Sequence, residues 1–165
     1  MAKKVAIRKA RVKDIPAAVE LWKELMDLHE ALDPVFTRSR GGHKAFAEYL
    51  RKEYIGGDRR RAWVAQGGHE IIGLCMGAIK DKPPALRLKQ HGQIEALVVT
   101  KKWRGKGVGE KLLRHALRWL CEKGMSRVEV CHSTVNDLTG QFYLRMGFSP
   151  YLKTLFLELP ESKVK

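Results

Sequence analysis

The sequence predicts a single α/β (α+β) domain whose mixed central sheet is flanked by about four helices. Two observations support this fold class. Apolar residues recur at strand spacing and at helix spacing in segments that follow the order β-α-α-β-β-β-α-β-α-β. The chain has 165 residues, enough for one domain with a real core and too few for two. We therefore treat 1–165 as one domain, with its core at about 5–159 and a tail at 160–165 that looks disordered.

The N-terminal part of the chain predicts one strand and two helices. Residues 5–9 alternate weakly, as a strand does. Asp14 stands where it can cap a helix that carries Pro16 in its tolerated first turn. The pair Asp33-Pro34 ends this helix, because proline disfavours a helical residue before it. A second helix is expected from Gly41-Gly42 to about Tyr54.

The middle of the chain predicts a β-hairpin and a further strand. Segments 61–66 and 70–80 flank Gly67-Gly68, which is a hairpin signal. Residues 82–91 form a basic, proline-containing loop, and 92–100 alternate as a strand.

The C-terminal part continues the alternation of helices and strands. A strongly amphipathic helix runs over 107–123, and a strand follows over 127–132. A short helix is expected over 137–146, and 148–159 predict a final strand or pair of strands.

The run Arg104-Gly105-Lys106-Gly107-Val108-Gly109 lies between a predicted strand and a predicted helix. Glycines let backbone N–H groups point into a concave loop, and a helix N-terminus adds partial positive charge there. This context favours a phosphate or pyrophosphate ligand. The spacing differs from Gly-x-Gly-x-x-Gly and from Gly-x-x-x-x-Gly-Lys-Ser/Thr, which argues against a dinucleotide fold and an NTPase loop. An ordinary glycine-rich helix start is the structural alternative.

The formal net charge of +14 is unevenly distributed. Between Lys101 and Arg118, seven Lys or Arg residues face the single acid Glu110, so positive charge is concentrated around the glycine loop. Between Asp14 and Asp33 the balance reverses, with six acids against Lys23. These acids could attract a cationic ligand, and a solvated helix face explains the stretch equally well. The basic cluster suits an anionic ligand, and the absence of a helix-turn-helix or aromatic RNA-binding pattern argues against a nucleic-acid partner.

Composition indicates a cytoplasmic protein without a membrane partner. The chain has no run of eighteen apolar residues, and its N-terminus lacks the apolar core of a signal peptide. The cysteines Cys75, Cys121 and Cys131 form no CxxC pair and are expected to be reduced. The six histidines have no metal-ligand spacing, so no metal is expected.

Two motifs resemble the GCN5-related N-acetyltransferase (GNAT) family. The glycine loop matches the family's pyrophosphate-binding pattern Arg/Gln-x-x-Gly-x-Gly/Ala. The second motif, Asn136-x-x-Thr139-x-x-Phe142-Tyr143-x-x-x-Gly147-Phe148, is similar to the family's Asn-x-x-Ala-x-x-Phe/Leu-Tyr-x-x-x-Gly-Phe, with Thr139 in place of the commoner Ala. Both motifs stand in the family's order, and the resemblance extends from Val5 to about Leu157.

This resemblance implies acetyl-CoA as co-substrate, bound in a cleft between two splayed strands. Backbone groups of Leu97, Val98 and Val99 would pair with the pantetheine arm, while their side chains lie in the core. Backbone N–H groups of the loop would hold the pyrophosphate; its residues are Arg104, Gly105, Lys106, Gly107, Val108, Gly109 and Glu110. Asn136 would contact the cofactor directly or through water, with helix capping as an equal alternative.

The resemblance also implies two catalytic residues. Tyr143 occupies the position of the family's tyrosine acid, which would protonate the leaving thiolate; simple packing is the alternative. Glu95 is the candidate base, because a carboxylate within an apolar strand is partly desolvated and can relay a proton from the amine. A salt bridge or a solvent-facing position is the alternative for Glu95.

The acceptor is not identified by the sequence. The first helix resembles a GNAT subgroup that acts on polyamine-like and other amines, on the pattern Trp22-x-x-Leu25-x-x-x-His29-x-x-Leu32-Asp33-Pro34. Three hypotheses remain. The first is an acetyltransferase for small primary amines, acting by direct attack in a ternary complex. The second is a protein N-terminal or lysine acetyltransferase, and the third is a non-catalytic CoA- or nucleic-acid-binding regulator. A homodimer is left open.

Overall fold

The computed structural model describes residues 4–159, which form a five-stranded sheet and four α-helices. The strands are β1 (Val5–Lys9), β2 (Arg60–Gly67), β3 (Glu70–Asp81), β4 (Gln90–Val99) and β5 (Val128–Val130). The α-helices are α1 (Ile15–Leu32), α2 (Gly42–Tyr49), α3 (Val108–Glu122) and α4 (Asp137–Arg145). The strands lie in chain order across the sheet; β1 to β4 are antiparallel, and β5 is parallel to β4. The predicted mixed α/β fold is confirmed.

The sheet has a hydrophobic core on each face. On one face, α1 and α2 cover a cluster that includes Leu50, Val64 and Leu74, all fully buried. On the other, α3 packs Leu112 and Leu120 against the sheet. Apolar residues spaced three and four apart place one stripe of α3 inward, which is why its polar residues remain outside.

Several boundaries differ slightly from the predicted ones. The second helix continues after α2 as a π-helical turn, Leu50–Tyr54, so its predicted end at about Tyr54 is correct. The hairpin turn lies at Gly68 and His69, where Gly68 has φ +66°. β4 begins at Gln90, and β5 has only three residues where six were predicted.

The predicted capping role of Asp14 is wrong in one respect. Asp14 stands at the position before α1, but its carboxylate accepts no N–H from that helix. Arg8 donates to both carboxylate oxygens at 2.7 and 2.8 Å, and the backbone N–H of Arg11 donates at 2.8 Å. The guanidinium is the stronger partner for a buried carboxylate, so Asp14 fixes β1 to the turn that precedes α1.

The predicted final strand is absent from the described residues. Residues 148–159 contain no strand, and Tyr151 and the residues after it are exposed. An alternating apolar segment becomes a strand only where a neighbouring strand accepts its backbone hydrogen bonds, and no described strand pairs with it. The tail predicted at 160–165 lies outside the described residues.

We expect Asp14→Asn to lower the free energy of unfolding by about 1–3 kcal/mol, because Arg8 and the Arg11 N–H lose a charged partner. The hydrogen bonds from Arg8 hold the pKa of Asp14 below its ordinary value, against the opposing effect of burial. The wild-type advantage should therefore be complete above the unfolded pKa of about 4 and disappear as pH falls through the folded pKa. Urea denaturation of both proteins between pH 7 and pH 2 measures this difference.

The matched control is Glu20→Gln on the same helix. Glu20 pairs with Lys23 at 2.7 Å, but its side chain is 70% exposed, so we expect a change of less than about 0.5 kcal/mol. A difference between wild type and Asp14→Asn that stayed constant down to pH 2 would contradict the assigned ion pair.

Candidate active site

The central feature of the site is the edge of β4 that faces β5. The two strands pair only through Gly92, Gln93 and Ile94 of β4. Beyond Ile94 they separate, whereas β3 remains paired with β4 as far as Val99. The segment from Glu95 to Val99 therefore has one edge without a neighbouring strand among the described residues. An extended ligand could hydrogen-bond to that edge.

A β-bulge at Glu95 determines which backbone groups reach this edge. β3 pairs Met76 with Ala96 and Gly77 with Ile94, so Glu95 is the extra residue. The carbonyl of Val98 points towards Gly73 of β3. By strand alternation, the N–H and C=O groups of Leu97 and Val99 point the other way, into the gap. The backbone of Val98 is thus the least accessible of the three predicted contacts.

The glycine loop leads directly into α3. Gly105 and Gly107 have φ of +72° and +74°, and, apart from the adjacent residues, a Cβ at either position would meet no atom within 4 Å. This backbone conformation is the reason for glycine at these two positions, and the space above them is open. Lys106 lies with its Nζ 5.2 Å from the ring centre of Trp103 at the side of the loop.

The N-terminus of α3 has the features of an anion site. Gly107 precedes the helix without a side-chain cap, and the first helical hydrogen bond runs from the N–H of Lys111 to Gly107. The N–H groups of Val108, Gly109 and Glu110 therefore have no partner within the helix. Glu110 directs its carboxylate to Arg114 at 2.9 Å, so only its backbone is suited to an anion.

The side chain of Arg104 is already engaged by the protein. Its Nε donates to the carbonyl of Val99 at 2.9 Å, and its Nη2 donates to Glu24 of α1 at 2.7 Å. Glu24 also accepts the backbone N–H of Lys101 at 2.9 Å. Arg104 therefore connects the end of β4 with α1 and holds the loop in place. Glu24 was missed at the sequence level, because its partners lie about eighty residues away.

Tyr143 lies on α4, inside the core that α3 covers. Its side chain is 7% exposed and packs edge-on against Phe142 and Phe148, with ring centres 5.2 and 5.5 Å away. Burial raises the pKa of the hydroxyl, and the nearby Cys75 raises it further. The phenol therefore keeps its proton at neutral pH, which is the state a proton donor needs.

Glu95 lies on the opposite face of the sheet. Ile94 and Ile79 belong to the core under α3, so the residues that follow them, Glu95 and Lys80, face α1 and α2. The Lys80 ammonium lies 2.5 Å from the Glu95 carboxylate, whose side chain is 21% exposed. Burial raises the pKa of Glu95 and lowers that of Lys80. The predicted partial desolvation is thus present, together with the salt bridge that was its alternative.

A polar cluster surrounds this ion pair. Arg60 donates to the Tyr49 hydroxyl, which lies 3.4 Å from the hydroxyl of Tyr54. Burial raises the pKa of Tyr49, and the charge of Glu95 raises it further. Sequence patterns gave no signal for this cluster, because its residues lie on α2, on the π-helical turn and on three different strands.

Two open cavities lie on the same face as Glu95. One, of about 440 Å³, is bordered by Glu53, Arg60 and Lys80. The other, of about 340 Å³, lies between α1 and α2, where Trp22 stacks on Phe46 at 4.7 Å and Tyr49 forms part of the wall. Neither cavity is lined by residues of the glycine loop.

Asn136 caps α4. Its Oδ1 accepts the backbone N–H of Thr139 at 3.2 Å, which is the structural alternative considered for it. Its amide nitrogen donates to no other described residue, so a cofactor contact stays a prediction.

Within residues 4–159, no group of three or more His, Cys, Asp or Glu side chains is placed to hold a metal ion. Over the same range, none of the helices is long and apolar enough to cross a membrane.

The sequence matches the acetyltransferase (GNAT) family over residues 22–148, so the chain belongs to that family. It is 31% identical over 99 residues to N-acetyltransferase 8B of Rattus norvegicus, covering 60% of this chain and 44% of the relative. It is 27% identical over 107 residues to N-acetyltransferase 8 of Homo sapiens, covering 65% and 46%. The chain spans about half the length of the curated relatives it matches.

Solved structures share the fold. A mutant of the BH1408 protein from Bacillus halodurans has a TM-score of 0.81 at 19% identity, covering 94% of this chain and 99% of that one. The aminoglycoside N-acetyltransferase AAC(6')-Iy, in complex with a CoA-containing bisubstrate analogue, has a TM-score of 0.73 at 18% identity, covering 95% and 99%. At such identities the likeness establishes the fold alone.

We expect Gly107→Asp to abolish acetyl-CoA binding, because the carboxylate would stand where the anion approaches the N–H groups of α3. The left-handed backbone of Gly107 adds strain of about 1–2 kcal/mol. Isothermal titration calorimetry measures binding, and urea denaturation measures stability.

Gly124→Asp is the matched control at the other end of α3. Gly124 has φ +80° and equally open surroundings, so this variant suffers the same kind of strain away from the proposed anion site. It should bind acetyl-CoA like the wild type. Binding by Gly107→Asp within a few-fold of the wild-type affinity would exclude the loop as the pyrophosphate site.

Proposed function

We propose that this chain transfers the acetyl group of acetyl-CoA to a primary amine of a small molecule, by direct attack in a ternary complex. The observation that carries the proposal is the unpaired edge of β4 beside the uncapped N-terminus of α3. The family relationship supports acetyl transfer, and solved GNAT neighbours include complexes with CoA and with acetyl-CoA. The cytoplasmic location and single-domain organisation stay predictions.

The two binding features suit different parts of acetyl-CoA. The N–H groups of Val108 and Gly109 would receive the pyrophosphate, with the positive charge of Lys106 close by. The free backbone groups of Leu97 and Val99 would pair with the amides of the pantetheine arm. Since the Val99 carbonyl already accepts from Arg104, Leu97 and the N–H of Val99 are the main groups available.

Acetyl-CoA would supply an acetyl thioester at the gap between β4 and β5. Glu95 would take a proton from the acceptor ammonium, directly or through water, and the pKa of its carboxyl, raised by burial, supports this role as base. Tyr143 holds a proton on the other face of the sheet, where it could be given to the departing thiolate. The acceptor would approach from the α1 and α2 face, where both cavities lie.

The function is tested by acetyl-CoA consumption across polyamines, amino acids, aminoglycosides and peptides. We expect turnover with at least one small amine. A preference for peptides would favour the protein acetyltransferase alternative.

Tyr143→Phe should lower kcat by about 10²–10⁴ with little change in acetyl-CoA affinity, because the variant loses the proposed proton donor. An unchanged kcat for Tyr143→Phe at saturating substrates would return Tyr143 to a packing role.

Glu95→Gln should change the pH dependence as well as the rate. Because burial raises the pKa of Glu95, its ionisation should form part of the acidic limb of kcat/KM, below which the base is protonated and inactive. In Glu95→Gln that limb should flatten or move and the rate should fall. Acetyl-CoA affinity should stay within a few-fold, since backbone groups bind the cofactor. A wild-type profile from pH 6 to 9 in this variant would make Glu95 a structural residue.

A further inference from the structure

The protein carries a primary amine of its own beside the candidate base. Lys80 stands on β3, one residue before the end of the strand, and its side chain reaches across to β4, where Nζ lies 2.5 Å from the Glu95 carboxylate. An acceptor ammonium can give a proton directly to Glu95 only from within hydrogen-bond distance of that carboxylate. The Lys80 amine is already at such a distance, so it stands where the amine of an acceptor would stand.

The surroundings of this pair favour the neutral amine, which is the nucleophilic form of a lysine. Burial lowers the pKa of the Lys80 ammonium, and the charge of Arg60 lowers it further. Burial also raises the pKa of the Glu95 carboxyl. Both shifts favour the transfer of a proton from Lys80 to Glu95, which is the first step required of an acceptor. The attraction between the two charges opposes this transfer, so the neutral amine is the minor form and its reactions are slow.

We propose that Lys80 is a site of self-acetylation, where the chain transfers the acetyl group of acetyl-CoA to its own amine when no acceptor is bound. This inference rests on the proposed acetyl-transfer function, with Glu95 as the base. The part of β4 that begins at Glu95 has the free edge proposed for the pantetheine arm, so a lysine beside Glu95 is close to the proposed position of the thioester. The flexible four-carbon stem of lysine lets its amine turn towards that position.

The step needs no reactant other than acetyl-CoA. Lys80 first loses one proton to Glu95. Its neutral Nζ then attacks the acetyl carbonyl carbon, so that an N–C bond forms and the C–S bond of the thioester breaks. The nitrogen loses its second proton to water as the amide forms, and the departing thiolate takes a proton from Tyr143. Glu95 then returns its proton to water and Tyr143 regains one, so one proton is released overall.

The modification would limit itself and compete with acceptor turnover. The amide nitrogen of acetylated Lys80 is no longer nucleophilic, and the positive charge beside Glu95 is removed. Lys80 also borders the cavity of about 440 Å³, so an added acetyl group would extend into that space. We therefore expect self-acetylation to slow the turnover of a free amine, and a bound acceptor to slow self-acetylation.

The test is incubation of the full chain with acetyl-CoA alone, followed by peptide mass spectrometry at successive times. We expect Lys80 to be acetylated at least about 10-fold faster than Lys52 and Lys82, because neither of these lysines is held beside the candidate base. Lys52 is the control for chemical acetylation, since its side chain is 73% exposed. Lys82 is the matched control for a paired lysine, since its Nζ lies 2.8 Å from Glu129, where β5 is still paired with β4.

Gly107→Asp separates self-acetylation from chemical acetylation. This variant is expected to lose acetyl-CoA binding, so acetylation of Lys80 should slow at least about 10-fold while that of Lys52 is unchanged. The control Gly124→Asp should be acetylated like the wild type. In the wild type, the rate of Lys80 acetylation per chain should not depend on protein concentration, since the transfer is intramolecular.

Acetylation of Lys80 no faster than that of Lys52 overturns the inference, and so does acetylation of Lys80 at an unchanged rate in Gly107→Asp. If the same preparation turns over a free amine while Lys80 stays unmodified, self-acetylation alone is excluded and the proposed function is unaffected. Calorimetry that detects no binding of acetyl-CoA to the wild type would contradict both.

Discussion

The candidate site depends on one constraint, which is that β4 is paired along nearly its whole length on one edge and over three residues on the other. Pairing with β3 holds the strand rigid, and the bulge at Glu95 reverses which backbone groups face each neighbour. As a result, the backbone groups of Leu97 and the N–H of Val99 point into the gap, while Glu95 lies on the α1 and α2 face. A continuous β4–β5 ladder would use those groups for the sheet and leave none for a ligand.

Ion pairs make the strong positive charge of the chain compatible with this arrangement. Arg104 belongs to the cofactor motif, yet its guanidinium is bound to Glu24 and to the Val99 carbonyl. The motif arginine therefore holds the glycine loop against α1 and β4. The acidic residues of the first helix, for which the sequence analysis considered a solvated face, thus include one structural partner of the loop. The proposed anion site would rely on backbone N–H groups at α3, which need no side-chain charge.

The sequence was sufficient for the features that depend on local chemistry. The positive φ angles of Gly105 and Gly107, the amphipathic stripe of α3 and the end of α1 at Asp33 all follow from residue type and spacing. The features that it could not supply arise from distant contacts. Periodicity predicted an alternating strand at the C-terminus but gave no information on whether an edge would accept it. The pairing of Glu95 with Lys80, like the pairing of Asp14 with Arg8, depends on strand register and turn geometry that no local pattern encodes.

The positions of the two candidate catalytic groups constrain the route of acetyl transfer. Tyr143 lies in the core under α3, and Glu95 lies on the opposite face of the sheet. The gap between β4 and β5 is the opening in the sheet that connects these two faces. A route through a covalent acetyl-enzyme intermediate would need a nucleophilic side chain on the same face of the sheet as Tyr143. Cys75 is there, but burial raises the pKa of its thiol to about 12, so the reactive thiolate is negligible at neutral pH. A base on one face and an acid on the other instead suit an amine that enters from the α1 and α2 side and attacks the thioester directly.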